Sequence, residues 1–285
     1  MNAQLNSRSL PDPSSTAPAP LVSIRGLRLS FPDQANKPLF GAAPRIEVLK
    51  GIDLDLPAGQ ITGIVGESGS GKSTLGRVMV RLLAPDTGTV LFDGQDIAQL
   101  DEAALRPLRR DLQMIFQDPM SSLNPRHRVW QIIAAPLRRF GLGGTRVEAV
   151  AALDKVGLGA DFAERFPHEL SGGQRQRVGI ARAIALEPRF ILADEIVSGL
   201  DVSSQAQVLT LLKTLAREMN LTLAFISHDL SVIRHLCDRV VVLYHGEILE
   251  QGPVAEVFAA PQSEITRTLL AAIPLPELDA HWFDD

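Results

Sequence analysis

From Leu21 onward apolar and polar positions alternate: Leu27, Leu29 and Phe31 interleave with Arg28 and Ser30, and Ile52, Leu54 and Leu56 with Asp53 and Asp55. A period of two belongs to half-buried strands and predicts an antiparallel pair. Beyond Gly59 the pattern changes to short apolar runs that each lead into helical spacing. Residues 61–65 precede Leu75, Val78, Met79, Leu82 and Leu83, one helical face stopped by Pro85. Residues 190–193 precede a second such face, Val208, Leu211, Leu212, Leu215 and Met219. Runs at 112–116, 221–226 and 240–243 supply further strands. Strands alternating with helices predict a parallel sheet covered on both faces.

Between residues 118 and 169 the strand signal disappears, and VWQIIAAPLRRF and RVEAVAALDKVGL read as helices around a GLGG break. This is a helical insertion, about 118–175, within a main domain spanning 21–260. Residues 1–20, rich in Pro, Ser and Ala without periodicity, bury too little apolar surface to offset ordering and read as a disordered tail. An extension over 261–285 carries an amphipathic stretch at 264–273, ended by Pro274 and Pro276.

Composition narrows the classes. The 285 residues are 45% hydrophobic and 21% charged, as in an ordinary soluble globular chain. No apolar run approaches the roughly 18–20 residues needed to cross a bilayer, and no secretory signal opens the chain. The formal net charge is -5 and Lys and Arg are scattered, which argues against a nucleic-acid partner. The single cysteine, Cys237, forms no internal disulfide and is too little for a zinc or iron–sulfur site. It reads as a small hydrophobe beside Leu236, and a reducing cytoplasm fits it.

Gly66-Glu67-Ser68-Gly69-Ser70-Gly71-Lys72-Ser73, followed by Thr74, has the G-x-x-x-x-G-K-[ST] form and lies between a predicted strand and a predicted helix. Glycines let the backbone curl so that several N–H groups face one anion, and the helix start adds its positive end. Lys72 is then placed to neutralise terminal phosphates, and the Ser73 hydroxyl to ligate Mg²⁺. The ligand so defined is a nucleoside triphosphate.

Other strand ends deliver polar residues that their apolar lead-ins do not explain. The run at 190–193 ends in Asp194, suited to hold Mg²⁺ through water, and Glu195, suited to orient and deprotonate an attacking water. The runs at 112–116 and 221–226 lead to Gln117 and His228, the first a candidate for water or metal contact and the second for a terminal phosphate oxygen. Taken alone, a histidine after a strand is more often structural. Leu170-Ser171-Gly172-Gly173-Gln174 opens another helix, with Ser171 to cap it and two glycines that admit an anion closely. Only one phosphate loop is present, so this second cradle is expected to grip a nucleotide held by another subunit.

The loop at 66–73, Gln117, LSGGQ, the Asp194–Glu195 pair, Ser198-Gly199-Leu200-Asp201 and His228 follow the order of the ATP-binding cassette, and over about residues 21–275 the chain resembles an ABC transporter ATPase subunit. The segments GESGSGKSTLGR, QDPMSSLNPR and LSGGQRQRVGIARA resemble the oligopeptide, dipeptide and nickel importer group. That resemblance implies an α/β, RecA-like P-loop NTPase sheet with an antiparallel β subdomain and a helical insertion. It implies ATP and Mg²⁺ as ligands, Phe31 stacked on adenine with Phe40 as its rival, and Asp201 in a loop communicating across a dimer. Residues near Gln117 to Arg126 would meet a membrane subunit.

The partners implied are a second ABC ATPase, identical or not, integral permease subunits and, indirectly, a solute-binding protein. The place implied is the cytoplasmic face of the membrane. Two departures stand out: Glu195-Ile196-Val197-Ser198-Gly199-Leu200-Asp201 replaces the family's Glu-Pro-Thr-Ser-Ala-Leu-Asp, and Ser263-Glu264-Ile265-Thr266 its His-Pro-Tyr-Thr. Two other functions compete with an importer ATPase: an accessory ATPase of a soluble complex such as carbon–phosphorus lyase, and a regulatory partner that hydrolyses poorly because of Ile196 and Val197.

Overall fold

Two alternating segments become one antiparallel ribbon because each must hide one face. In the computed structural model, strand β1 (Pro20–Pro32) pairs with β2 (Arg45–Pro57), with Val22 opposite Leu56, Ile24 opposite Leu54 and Leu27 opposite Ile52. All six side chains are buried, and the register shift between the Ile24 and Leu27 pairs keeps both apolar faces turned inward. The structure describes residues 19–33, 35, 36, 41 and 43–271. The tail expected at 1–20 up to residue 18, Phe40, and the extension beyond residue 271 lie outside them. Strands β4 (Thr87–Phe92) and β5 (Gln95–Asp96) complete a four-stranded sheet in the order β2-β1-β4-β5.

The second sheet contains β3 (Ile61–Val65), β6 (Leu112–Ile115), β7 (Phe190–Asp194), β8 (Thr222–Ile226), β9 (Arg239–Tyr244) and β10 (Glu247–Pro253), in the order β10-β9-β3-β8-β7-β6. Its strands run parallel except for β10, which folds back along β9. Every residue of β3, β7 and β8 is buried, which is why these segments read as predominantly apolar runs.

The two-residue period still sorts their side chains. Phe190, Leu192, Ala224 and Ile226 pack toward the antiparallel sheet and helix α1 (Lys72–Met79). Ile191, Ala193, Leu223 and Phe225 pack toward the helices of the opposite face. Helix α2 (Glu102–Leu105) precedes β6, and α3 (Pro119–Ser122), α4 (Val129–Arg139) and α5 (Arg146–Lys155) form the expected helical segment. Gly141, Gly143 and Gly144 all take positive φ between α4 and α5, so the GLGG break is a real turn. Then come α6 (Gly172–Ile184), α7 (Val202–Glu218), α8 (Leu230–Leu236), α9 (Val254–Ala259) and α10 (Glu264–Ala271).

One expected core face is shorter than its spacing suggests. Helix α1 stops at Met79, and Leu82 is 51% exposed rather than buried. The cause is Arg81, which adopts φ 52 and buries its guanidinium, donating to the carbonyls of Ile97 and Leu100 at 2.6 and 2.9 Å. A buried arginine with two backbone acceptors outweighs one more leucine in the stripe.

The turn joining β9 to β10 holds the phosphate loop in place. Gly246 N–H donates to the Ser70 carbonyl at 3.0 Å, and the Gly246 carbonyl accepts from Lys50 N–H at 2.9 Å. A side chain on Gly246, whose φ is 84, would run into the Val48 carbonyl. Gly69, at φ 80, has open space where its Cβ would be. Gly69→Ala is therefore expected to cost about 1 kcal/mol for left-handed backbone alone. Gly246→Ala costs more and also loosens the loop. Urea denaturation of the two variants checks the order, and equal losses would contradict it.

Candidate nucleotide site

The four chemistry-bearing strand ends are separated by as many as 162 positions in sequence, Gly66 to His228, yet they line one edge of the sheet. Their strands are consecutive neighbours, β3-β8-β7-β6, and the register is level: Ile64 faces Ile226, Ile226 faces Asp194, and Ala193 faces Ile115. All four chains therefore leave the sheet together, placing Gly66, Ser227–His228, Asp194–Glu195 and Gln117 side by side. An edge at the carboxyl ends of parallel strands is where such sheets bind ligands.

Gly66, Gly69 and Gly71 have φ of 148, 80 and 105, values that turn the loop amides inward. A Cβ on Gly66 would collide with the Leu243 carbonyl, and one on Gly71 would sit 3.1 Å from both Leu49 and the Val48 carbonyl. The loop and the start of α1 border a depression of about 290 Å³ lined by Val48, Ser68, Gly69, Gly71, Lys72, Ser73, Thr74, Gln117 and Glu195. Lys72 is buried and its Nζ donates to the carbonyls of Gly66 and Glu67, at 2.8 Å each. Burial pushes its pKa down, against the pull of Glu195 and Asp194. The Ser70 hydroxyl, also in the loop, is buried without a hydrogen-bond partner. A buried cation held only by carbonyls and an orphaned hydroxyl are what an anion would satisfy.

The acidic side of the site is a short chain of contacts. Ser73 Oγ donates to Asp194 Oδ1 at 2.9 Å. Gln117 Nε2 donates to Glu195 Oε2 at 3.0 Å, and His228 Nδ1 lies 3.7 Å from Glu195 Oε1. Burial raises the Asp194 pKa above the usual carboxylate range, with Ser73 and Arg77 working the other way. Glu195 has φ 48, a left-handed conformation that costs about 1–3 kcal/mol in a non-glycine residue. Its N–H donates to the Ile226 carbonyl at 3.0 Å, and its carbonyl accepts from Ser198 N–H at 3.2 Å and Ser198 Oγ at 2.7 Å. Ile196 and Val197, the departures after the acidic pair, are buried in the core at 1% and 6% exposure, so they anchor this turn.

Ser73, Asp194 and the Gln117 amide form a set of oxygen donors that suits Mg²⁺. Among the described residues no group of three His, Cys, Asp or Glu gathers to hold a metal by itself. A cation here would complete its shell with water and phosphate oxygens, as Mg²⁺ usually does.

Several expected residues lie elsewhere. Phe31 stands opposite Ile46 at the outer end of β1, is 37% exposed, and does not line the depression. Ser171, Gly172, Gly173, Gln174 and Asp201 are also outside it. Ser171 caps α6 reciprocally with Gln174: Ser171 Oγ accepts from Gln174 N–H at 3.3 Å and Gln174 Oε1 accepts from Ser171 N–H at 3.0 Å. Asp201 caps α7, accepting from Ser204 N–H at 2.8 Å, and this holds its carboxyl below the usual range.

Two contributors escaped the sequence reading. Arg77 follows Ser73 by four helical positions, a spacing that could have revealed it. Val48 had no local signal, because only the docking of β2 on the loop brings it there.

A glycine loop between a parallel strand and a helix, beside an acidic strand end, defines a P-loop α/β ATPase. The match to the ABC transporter family covers residues 49–198, and the chain belongs to that family. It is 47% identical over 264 residues to a Brucella ovis protein named as a peptide import ATP-binding protein, covering 92% of this chain and 81% of that one. It is 47% identical over 266 residues to the glutathione import ATP-binding protein GsiA of Salmonella typhi, covering 92% of this chain but 42% of the relative. Among solved structures it resembles the dimeric ATP-binding cassette MJ0796 bound to ADP and Pi, with TM-score 0.72 and 31% identity over 82% of this chain and 98% of that one. The structure of cbiO1 from Clostridium perfringens matches with TM-score 0.72 and 27% identity, covering 90% and 96%.

Because burial raises the folded-state pKa of Asp194, the folded protein holds that proton more tightly than the unfolded chain does. Its contribution to stability is therefore present in acid and is lost as pH rises through the folded-state value. Asp194→Asn keeps an acceptor for Ser73 and removes the charge. The nucleotide-free variant is expected to melt above wild type at pH 8, with the difference shrinking in acid. Thermal melts across pH check this, and a variant melting lower at every pH would refute it.

Proposed function

We propose that this chain is the ATP-hydrolysing subunit of an importer for peptides or similar small solutes. The observation that carries the chemistry is the convergence of Gly66, Gln117, Asp194–Glu195 and His228 on one sheet edge around the Lys72 loop. The names of the two relatives, a peptide importer and a glutathione importer subunit, support import over an accessory role in a soluble enzyme complex. Among the described residues no helix is long and apolar enough to cross a membrane. Membrane attachment on the cytoplasmic face therefore comes from permease subunits, with a solute-binding protein upstream of them. We take residues 21–260 as the ATPase domain, with about 118–175 as its helical part and 261–285 as an extension.

In this reading the loop amides of 66–74 bind the triphosphate and Lys72 exchanges its two carbonyl acceptors for phosphate oxygens. Ser73, Asp194 through water, and Gln117 would hold Mg²⁺, which when bound neutralises charge on the β- and γ-phosphates. Glu195 takes the proton from the attacking water once Gln117 turns from it toward the metal and water, and His228 bonds a γ-phosphate oxygen. Phe31, outside the depression, is proposed to stack on an adenine that extends beyond it.

Ser171, Gly172, Gly173 and Gln174 serve the nucleotide of a second ATPase subunit, identical or related, in head-to-tail fashion, with Asp201 at the junction. That the cassette resembled here is dimeric supports the pairing of two subunits. ATP closes the pair and hydrolysis opens it, a movement the permease converts into alternating access. The segment from Gln117 to Arg126 is proposed to meet the permease.

Three variants test this in the complex that copurifies with the chain. Glu195→Gln is expected to lower turnover by about 10²–10⁴-fold while ATP binding persists; undiminished turnover excludes Glu195 as the base. Lys72→Ala weakens ATP binding by roughly 1.5–3 kcal/mol for each charge-assisted bond lost, read by nucleotide titration. Ser171→Arg spares nucleotide binding by the isolated chain and stops ATP-driven closure. Loss of both together would contradict a grip in trans, and a soluble enzyme core in place of integral membrane subunits would overturn import.

A further inference from the structure

At the amino ends of β3 and β9, the opposite edge of the sheet from Lys72, helices α8, α9 and α10 border a groove of about 660 Å³, against about 290 Å³ for the depression beside the phosphate loop. Its floor is apolar, formed by Cys237, Val254, Phe258, Ala259 and Leu270. Phe258 and Leu270 are only partly buried. Two charged side chains also line it, and they differ in what they already hold. Asp238 is engaged, its Oδ2 accepting from Ile61 N–H at 2.8 Å, whereas the Arg234 guanidinium has no polar partner among the described residues. On the other flank of α8 a second depression, about 310 Å³, is lined by Lys213, Arg217, His235 and a single acid, Glu218. Arg234 and His235 are consecutive and exposed, so this side of α8 is basic from one depression to the other.

Leu270 reaches the groove because α10 is tied down at its start. The Glu250 carboxylate on β10 accepts from Gln262 N–H at 2.9 Å and from Ser263 N–H at 3.2 Å, and Ser263 Oγ accepts from Ile265 N–H at 3.2 Å. The chain therefore leaves α10 beside the groove. Pro274 and Pro276 are unsuited to extending that helix. Residues 272–285 carry the apolar side chains Ile273, Leu275, Leu278, Trp282 and Phe283. They also carry four acids, Glu277, Asp279, Asp284 and Asp285, and no lysine or arginine.

We propose that residues 272–285 dock back on this face, their apolar side chains in the groove between α8, α9 and α10 and their carboxylates against Arg234 and the basic side of α8. Charge selects this occupant: an acidic, apolar segment meets an apolar groove whose unpartnered charge is positive. Docked there, the segment takes the exposed parts of Phe258 and Leu270 out of water. Tethering makes a weak site sufficient, because a segment that begins two residues after Leu270 has an effective concentration of order 1 mM. A Kd of about 0.1 mM then fills the groove in about nine chains of ten. The inference concerns the extension alone and holds whether or not the chain drives an importer.

The chain has two tryptophans, Trp130 and Trp282, so Trp130→Phe leaves Trp282 as the only reporter and keeps a ring beneath Arg138. Acrylamide quenching of that full-length chain is measured alone, over a range of protein concentrations, and in the complex that copurifies with it; the synthetic peptide 272–285 gives the undocked reference. About nine-tenths of the Trp282 emission is expected to resist the quencher at every concentration. Ala259→Glu places a carboxylate in the groove and Arg234→Glu reverses the charge at its wall; both positions are exposed, and circular dichroism checks that the fold is kept. Each is expected to weaken docking tenfold or more, leaving about half of the emission shielded at most. Arg234→Lys, which keeps the charge, retains the shielding. Quenching as complete as that of the peptide overturns the proposal, and so does shielding that survives either glutamate variant. Shielding lost on dilution would put a second copy's segment in the groove, and shielding found only in the complex would put the segment on another subunit; either result overturns docking within one chain.

Discussion

A backbone that must aim its amides at an anion has no side chains with which to hold itself in that shape. The phosphate loop is therefore held from outside: the Leu243 carbonyl lies where a Cβ of Gly66 would be, Val48 and Leu49 press on Gly71, and Gly246 bonds the Ser70 carbonyl. These restraints come from β2 and from the β9–β10 turn, one in each sheet, so the cradle exists only when both sheets have docked. The antiparallel ribbon, whose sequence carries no catalytic residue, is in this sense part of the site.

Charge placement follows the same logic. Lys72 is buried among carbonyls and Asp194 beside Ser73, each with its pKa displaced toward the neutral form. Such a site stores free energy that a bound, charged ligand releases, because the ligand supplies the partner whose absence burial makes expensive. The strained backbone of Glu195 belongs with this: Ile196 and Val197, where the family has Pro-Thr, bury into the core and hold the turn that the bond to Ile226 begins. The departure from the family pattern thus places two buried apolar residues in an anchored turn.

The two glycine motifs of the chain differ in what stands beside them: the first has a buried cation and acids, the second a reciprocal helix cap. The second motif packs through Gly172 and Gly173 on Leu200 and Ser204. Gly173 is thus constrained by the start of the helix packed beneath it.

Much of this was legible in the residue order. Period-two and period-3.6 spacing located the strands and most helices, and the glycine pattern with its lysine named the ligand class, because local conformation and short motifs depend on neighbours in sequence. The order of the strands was not legible: that β8 lies between β3 and β7, bringing His228 beside Glu195, depends on pairings across the whole chain. Leu82 was misplaced by its spacing because Arg81 found carbonyls at Ile97 and Leu100, partners remote in sequence. Val48 at the loop, Phe31 away from the depression and Ser204 under Gly173 were likewise decided by packing. Periodicity says which side of an element seeks burial; only the assembled layers decide what it is buried against.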